Sequence, residues 1–247
     1  QFLTDTVMGF AQTNALAQEK FANVDSLQEA LNMGFSRLHY LFPDWEIPMT
    51  VYLFVSGFNS SVVYNENLMG VGVDMYLGSD YPYYNQLVYN YQKHTMRKEC
   101  VAGDLLNLYL AYNISYNSKY NRLLEQMIFR GKQLFLLGEL LPNEPAWELI
   151  GYSKEQWDWC EMYEQAIWNR MMEKRDLFKT ESMLINSYLN DGPFTAEISQ
   201  ESPGRLGLWV GWRIVDSYMT NNKDVTLIEL MGEGDAQKIL EQSYYKP

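Results

Sequence analysis

The chain has 247 residues, 47% of them hydrophobic, and a formal net charge of −12. This length and composition are ordinary for a globular protein, and we expect a single domain over residues 1–247. A polyanion would be repelled and no basic patch is present, so the charge disfavours nucleic acid as a partner. No apolar run reaches the ~18 to 20 residues that a membrane-spanning helix needs. The chain is also rich in aromatics, with 19 Tyr and 7 Trp, which suits contacts at grooves or with glycans.

An amphipathic helix is predicted near the N-terminus. Asp25 followed by Gln28 resembles a capping box, and Pro43 ends the helix. Between them, apolar residues keep helical spacing at Leu27, Leu31, Phe35, Leu38 and Phe42.

A small sheet is predicted after Pro48. Three segments have extended patterns, and a turn at residues 57–60 separates the first from the second. The predicted strands are Met49–Val55, Val62–Tyr64 and Val71–Val73.

From Tyr84 onward the pattern is helical almost to the end. Ser153 with Gln156 forms a capping box, and Thr226 and Asp235 are expected to cap two short terminal helices. The strongest segments are Leu105–Ala111, Leu123–Leu140, Lys154–Arg175 and Pro203–Met219. The sequence therefore predicts an α+β fold, predominantly helical, with one small sheet near the N-terminal third.

The last of these segments contains a stripe of glycines. Ser202 is expected to cap the helix and Pro203 to occupy its first position. Gly204, Gly207 and Gly211 are then three and four residues apart on one face, which indicates close approach of another backbone.

Charged and aromatic side chains flank the glycine stripe. Trp209, Trp212 and Arg213 lie beside it. Arg205 either pairs with Glu201 or anchors an acidic partner, and we favour the internal pair.

Metal and nucleophile chemistry have little support in the sequence. The only histidines, His39 and His94, do not form the His-Glu-x-x-His pattern of zinc peptidases. No Gly-x-Ser-x-Gly nucleophile motif or phosphate-binding loop is present. Cys100 and Cys160 lack metal-ligand spacing, so we expect two buried free thiols. We therefore expect neither a metal nor a cofactor.

Two other groups of ionisable residues allow chemistry. Glu161 and Glu164 are expected on one helical face between Trp157 and Trp168, which suits either a carbohydrate-active acid pair or an ordinary acidic surface. A metal-independent hydrolase using this pair is the alternative function.

Lys132 follows Gly131 in an apolar helix. An acid such as Glu125, seven residues earlier, is its expected partner. A buried pair of this kind would specify helix register more than it would stabilise the fold, and a catalytic lysine is the less favoured alternative.

Four segments together resemble one family, the gliding-motility lipoprotein GldB and its relatives from the Bacteroidetes. The matching segments are Gly70–Tyr84, Leu123–Lys132, Gly151–Trp157 and Ser202–Tyr218. The resemblance implies an exported protein on the periplasmic side of the cell envelope, lipid-anchored through a cysteine preceding Gln1. Its partner would be an envelope protein or a glycan, and it would meet the membrane only through that anchor.

Members of this family are distantly similar to zincin-type peptidases. The helix holding Leu105–Ala111 lacks any zinc ligand between those residues, and Arg130 stands near the place of a third ligand, where a cation would repel Zn²⁺. The resemblance therefore implies a degenerate zincin-like scaffold without metal, a pseudoenzyme. The residues expected to be hallmarks or binding residues are Asp74, Lys132, Glu201, Arg205, Trp209, Trp212 and Arg213.

Overall fold

The computed structural model describes residues 2–48, 50–65, 68–116 and 118–247, with side chains from residue 9 onward. The chain divides into two compact units, residues 1–113 and 114–247. The predicted α+β class is confirmed, with one three-stranded sheet in the described residues. That the units form a single domain stays a prediction.

The first unit combines four helices with the sheet. Three short 3-10 turns follow β3, at Val73–Met75, Asn90–Thr95 and Lys98–Cys100. The main elements are α1 Phe2–Lys20, α2 Asp25–Leu41, β1 Val51–Phe54, β2 Val62–Asn65, β3 Leu68–Gly72, α3 Tyr84–Leu87 and α4 Val101–Asn113. The α1 helix was not predicted from the sequence, because its apolar positions give only a weak helical stripe.

The α2 helix keeps its predicted extent but not its predicted cap. Asp25 is its first residue and makes no side-chain capping bond; instead, its backbone N–H donates to Asn23 Oδ1 at 2.9 Å. Burial of the predicted apolar stripe therefore defines this helix.

The strands have the order β1-β3-β2, with β1 parallel and β2 antiparallel to β3. The predicted third strand begins three residues late and ends one residue late, since β3 starts at Leu68 and Val73 already begins a 3-10 turn. Met49, the first residue of the first predicted strand, lies outside the described residues. The central β3 is buried from Met69 onward, and α4 packs on it and on β2.

The core of the first unit lies between α2, α4 and the sheet. Phe35 meets Tyr109 edge to face at 5.5 Å between ring centroids. A Cβ on Gly34 would lie 2.5 Å from Leu106 Cδ1, which shows how closely α2 and α4 approach. These contacts fix α2 against α4, which itself packs on the sheet.

The second unit is helical. One 3-10 turn, Asp176–Phe178, separates two of its helices. The helices are α5 Leu123–Leu140, α6 Ala146–Ile150, α7 Lys154–Met162, α8 Glu164–Glu173, α9 Ser182–Leu189, α10 Leu206–Asn221, α11 Leu227–Gly232 and α12 Ala236–Ser243. The capping residues predicted for the last two helices are confirmed: Thr226 Oγ1 accepts from Glu229 N, and Asp235 Oδ1 from Lys238 N.

Two predicted helices of this unit needed correction. The segment Lys154–Arg175 breaks at Tyr163 into α7 and α8, although the Ser153 capping box at its start is confirmed. The α10 helix begins at Leu206 rather than Pro203, because Arg205 is left-handed at φ 59°. Ser202 therefore caps no helix; its hydroxyl accepts from Thr195 N at 3.0 Å.

The glycines meet other backbones, as predicted, but not on one helical face. Gly204 precedes α10, and a Cβ there would lie 2.4 Å from Gly192 O. Within α10, a Cβ on Gly211 would lie 2.2 Å from Met127 O, and one on Gly131 of α5 would lie 2.4 Å from Gly211 O. Bare backbone on both helices therefore permits the α5–α10 crossing, the most extensive helix contact of this unit.

Replacing Gly211 with alanine tests this crossing. Since the new methyl would meet backbone atoms that cannot move independently, we expect Gly211→Ala to lower the free energy of unfolding by about 1–3 kcal/mol in denaturant titrations. The matched control is Gly232→Ala at the end of α11, where a Cβ meets nothing within 4 Å. That control should be neutral or stabilise by up to about 1 kcal/mol, and equal effects of the two changes would contradict the crossing.

The two cysteines are buried, as predicted, one in each unit, and they are not joined in a disulfide. Burial raises the pKa of the Cys160 thiol, so it stays protonated and unreactive at neutral pH. None of the described helices has the length and hydropathy to cross a bilayer.

Candidate functional site

In the first unit, a buried carboxylate organises a surface turn. Asp74 is fully buried; its Oδ1 accepts from Ser56 N at 2.7 Å and its Oδ2 from Phe58 N at 2.6 Å. Gly57 and Phe58 have φ of 68° and 61°, a left-handed conformation that is costly for a bulky residue. Asp74 thus holds a strained turn in place, which is a structural basis for its predicted hallmark status.

The strained turn places an aromatic ring among tyrosines. The Phe58 ring lies 6.3 Å from Tyr81 and 6.2 Å from Tyr83, nearly parallel to both, and meets buried Tyr84 edge to face. Tyr84 donates to the backbone carbonyl of Asp74 at 2.7 Å. The carboxylate, the turn and the rings therefore form one connected cluster, and Tyr83 is 39% exposed at its surface.

Removing the charge of Asp74 should release the turn. In Asp74→Asn a nitrogen replaces one acceptor oxygen, leaving a part-buried N–H of the turn without its partner at a cost of about 1–3 kcal/mol. Amide hydrogen exchange at Ser56 and Phe58 should speed up more than elsewhere. The control, Asp44→Asn, changes an exposed carboxylate and should leave both exchange rates unchanged. Unchanged exchange in Asp74→Asn would contradict the anchoring role.

In the second unit, a polar cavity of about 140 Å³ lies beside α5. Residues 114–116, α5 and the α11–α12 turn contribute to its wall. Its polar lining includes Ser115, Tyr116, Ser118, Glu125, Lys132 and Glu233.

The buried Lys132 closes one side of this cavity. Its Nζ donates to Glu233 O at 2.8 Å and to Met231 O at 3.3 Å, where carbonyls at the end of α11 favour a cation. Gly131 allows the α10 approach while the next residue, Lys132, reaches the α11–α12 turn. These carbonyls lie about 100 residues away in sequence, and no local pattern could have revealed them.

The predicted Lys132–Glu125 pair is wrong. Glu125 accepts from the backbone N–H of Arg122 at 3.1 Å and from its Nε at 3.0 Å, within the first turn of α5. The guanidinium of Arg122 supplies a second nitrogen to the same carboxylate. Three residues of separation at a helix start satisfy Glu125 locally, and this spacing was visible in the sequence.

The amine of Lys132 is the most chemically distinctive group of the cavity. Burial lowers its pKa from 10.5 to about 8, and the nearby Glu233 partly opposes the shift. The cavity can therefore present either an ammonium donor or, above that pH, a neutral amine.

This shift predicts a pH dependence of stability. Between about pH 8 and 10.5 the unfolded chain binds the Lys132 proton more tightly than the folded chain, so the penalty for burying the charge fades as pH rises. The unfolding free energy of the wild type minus that of Lys132→Met should rise by up to about 3 kcal/mol across this range. Denaturant titrations at several pH values check this, and a flat difference would show that the pKa is ordinary.

A second polar cluster joins α8, α10 and the C-terminal residues. Arg213 donates from Nε to Glu164 Oε1 at 2.8 Å and from Nη2 to Oε2 at 3.2 Å, while the Tyr245 hydroxyl donates to Oε1 at 2.8 Å. The Arg213 guanidinium also lies 5.9 Å from the ring centroids of Trp209 and Trp212. This side of the predicted glycine helix is therefore an internal ion pair covered by aromatic rings.

The predicted acid pair does not share one helix. Glu161 is exposed near the end of α7, whereas Glu164 begins α8 after the break at Tyr163 and is held by Arg213. Trp157 packs against Trp212 at 5.2 Å, and Trp168 against Tyr245 at 5.1 Å. These rings are thus engaged within the fold.

Arg205 is internal, as favoured, but its predicted partner is wrong. Its Nε lies 3.6 Å from Asp191 Oδ1, and its Nη2 donates to Gly151 O at 3.2 Å. Glu201 is exposed, and its backbone N–H donates to Ser199 Oγ. The left-handed start of α10 directs Arg205 to the 191 and 151 loops instead.

The histidines occupy separate elements of the first unit. His39 is exposed on α2, and the His94 Nδ1 lies 3.3 Å from Tyr91 O. Among the described residues, no three His, Cys, Asp or Glu side chains are grouped closely enough to hold a metal ion.

The fold defines an α+β protein composed of a small-sheet unit and a helical unit, with its prominent carboxylates tied into internal bonds. The family model for the gliding motility protein GldB matches residues 1–247, across both units. The chain belongs to this family of cell-envelope lipoproteins. Searches of curated proteins and of solved structures give no match.

Proposed function

We propose that the chain is a non-catalytic component of the gliding machinery, lipid-anchored on the periplasmic side of the cell envelope, that acts through contacts with a protein or a glycan. The family match over residues 1–247 carries this proposal. It links the whole described fold, rather than one motif, to motility.

The use of the buried and part-buried carboxylates supports a contact role. Asp74 binds the amides of its turn, Glu125 binds Arg122, and Glu164 binds Arg213. Asp176 is likewise held by Lys179 and by the Tyr188 hydroxyl, the latter at 2.7 Å. Acids saturated in this way stabilise the fold and are poorly placed to exchange protons with a substrate.

The degenerate zincin-like scaffold that we propose is supported by one side chain of α4 and one of α5, each considered within its own unit. Asp104 of α4 accepts from the Tyr76 hydroxyl at 2.6 Å, and Arg130 of α5 donates to Leu189 O at 3.2 Å. Each of these two side chains thus has a structural partner within its own unit. In this proposal the fold is retained without its metal, and the surface of the protein binds the partner.

A genetic complementation separates contact from hydrolysis. We expect cells lacking the chain to stop spreading on a surface, and to recover with the wild type or with Glu161→Gln. Since Glu161 is exposed, its replacement leaves the fold intact but would abolish a hydrolase that needs both Glu161 and Glu164. Surface spreading and protein level are the measurements.

Three outcomes contradict parts of the proposal. Spreading by cells without the chain would remove the motility role. Loss of spreading with Glu161→Gln at a normal protein level would favour the hydrolase. Full function of a form secreted without a lipid anchor would show that the function does not need the anchor.

A further inference from the structure

A groove in the first unit runs between α2 and the edge strand β1. Its volume is about 310 Å³, enough to accept one or two side chains. Its apolar wall comprises Leu27, Leu31, Phe35, Val51 and Leu53, and Gln28 and Asn32 add polar groups on the helix side.

The strand side of the groove has an unpaired edge. Among the described strands, β1 has β3 as its one neighbour. In such an edge strand, alternate N–H and C=O groups point away from the sheet and remain available for another strand. Tyr52 and Leu53, which point to opposite faces of β1, are 55% and 41% exposed, so neither face of this strand is fully covered. Because a row of such N–H and C=O groups pairs best with another extended backbone, we expect the ligand of this edge to be an extended chain.

The acidic side chains next to the groove indicate which kind of extended chain would bind there. Asp25 and Glu29 are exposed on α2 directly after the groove residues Val24 and Gln28. A second copy of this chain would bring its own net charge of −12 to the same place and be repelled at long range. A segment with Lys or Arg beside its apolar residues complements the acids.

We propose that this groove binds an extended, basic-flanked segment of an envelope protein, which adds to β1 as a further strand and places an apolar side chain between α2 and β1. Strand addition supplies affinity through main-chain hydrogen bonds, and the cavity supplies selectivity for the side chain. The inference rests on the proposed contact function and names the chemistry of its partner.

A synthetic peptide tests the inference on the purified chain. The probe is a fluorescently labelled peptide in which Val and Leu alternate with Thr between two pairs of Lys. Fluorescence anisotropy should show saturable binding. Replacing the Thr residues with Pro removes main-chain donors, and replacing Lys with Glu reverses the flanking charge. Each change should weaken binding by at least about tenfold.

Two matched variants locate the binding. Asn32→Trp fills the groove from the exposed side of α2 and should weaken peptide binding at least about tenfold. Ser26→Trp adds the same ring to the opposite, exposed face of α2 and should leave binding unchanged. Circular dichroism of both variants verifies the fold. Reversing charge with Asp25→Lys and Glu29→Lys together should invert the preference between the Lys and Glu peptides.

Several results overturn the inference. These are the absence of saturable binding, equal binding of the Pro peptide, or equal effects of the Asn32 and Ser26 variants. If analytical ultracentrifugation shows that the wild type is a dimer and that Asn32→Trp is a monomer, the groove binds a second copy of the chain instead. Because the peptide measurement uses purified protein, its failure leaves the motility test standing, and a failed motility test leaves the peptide result intact.

Discussion

The second unit depends on how closely α5 and α10 cross. Gly131 and Gly211 face each other with no side chain between the two backbones, and any Cβ there would overlap carbonyl atoms. This contact carries the core of the unit, because α10 also packs against α12 and α9. This close approach requires a glycine in the interior of each helix, which lowers the intrinsic stability of both helices. Close packing along the two helices offsets that loss.

The crossing also determines where charged groups lie. With α10 covering one side of α5, the side chain after Gly131 points to the α11–α12 turn, where Lys132 binds backbone carbonyls and bounds a polar cavity. On another side of α10, Arg213 meets Glu164 and Tyr245. In the first unit an ionisable group likewise fixes local structure, because Asp74 holds the strained turn that carries Phe58. Ionisable groups in both units thus fix local geometry.

Local patterns predicted much of this fold. The apolar period of α2, the extent of α5 and the caps of α7, α11 and α12 follow from spacing and short-range chemistry. Predicted helix boundaries were wrong where tertiary contacts determine the backbone. Arg205 has a left-handed conformation and donates to a carbonyl of a distant loop, so α10 begins after it rather than at Pro203. The site was harder to predict, since Lys132 finds its partners about 100 residues away while Glu125 is satisfied three residues away. The groove beside β1 arises from strand order, which no local pattern encodes.

The most direct test of the α5–α10 crossing is a double-mutant cycle of Gly131→Ala and Gly211→Ala. Either methyl alone should force the helices apart, so the second should cost much less once the first is present. We therefore expect the double variant to lose clearly less unfolding free energy than the sum of the single losses. Strictly additive losses would show that the two glycines do not share one contact, and the positions of Lys132 and Arg213 would then need another explanation.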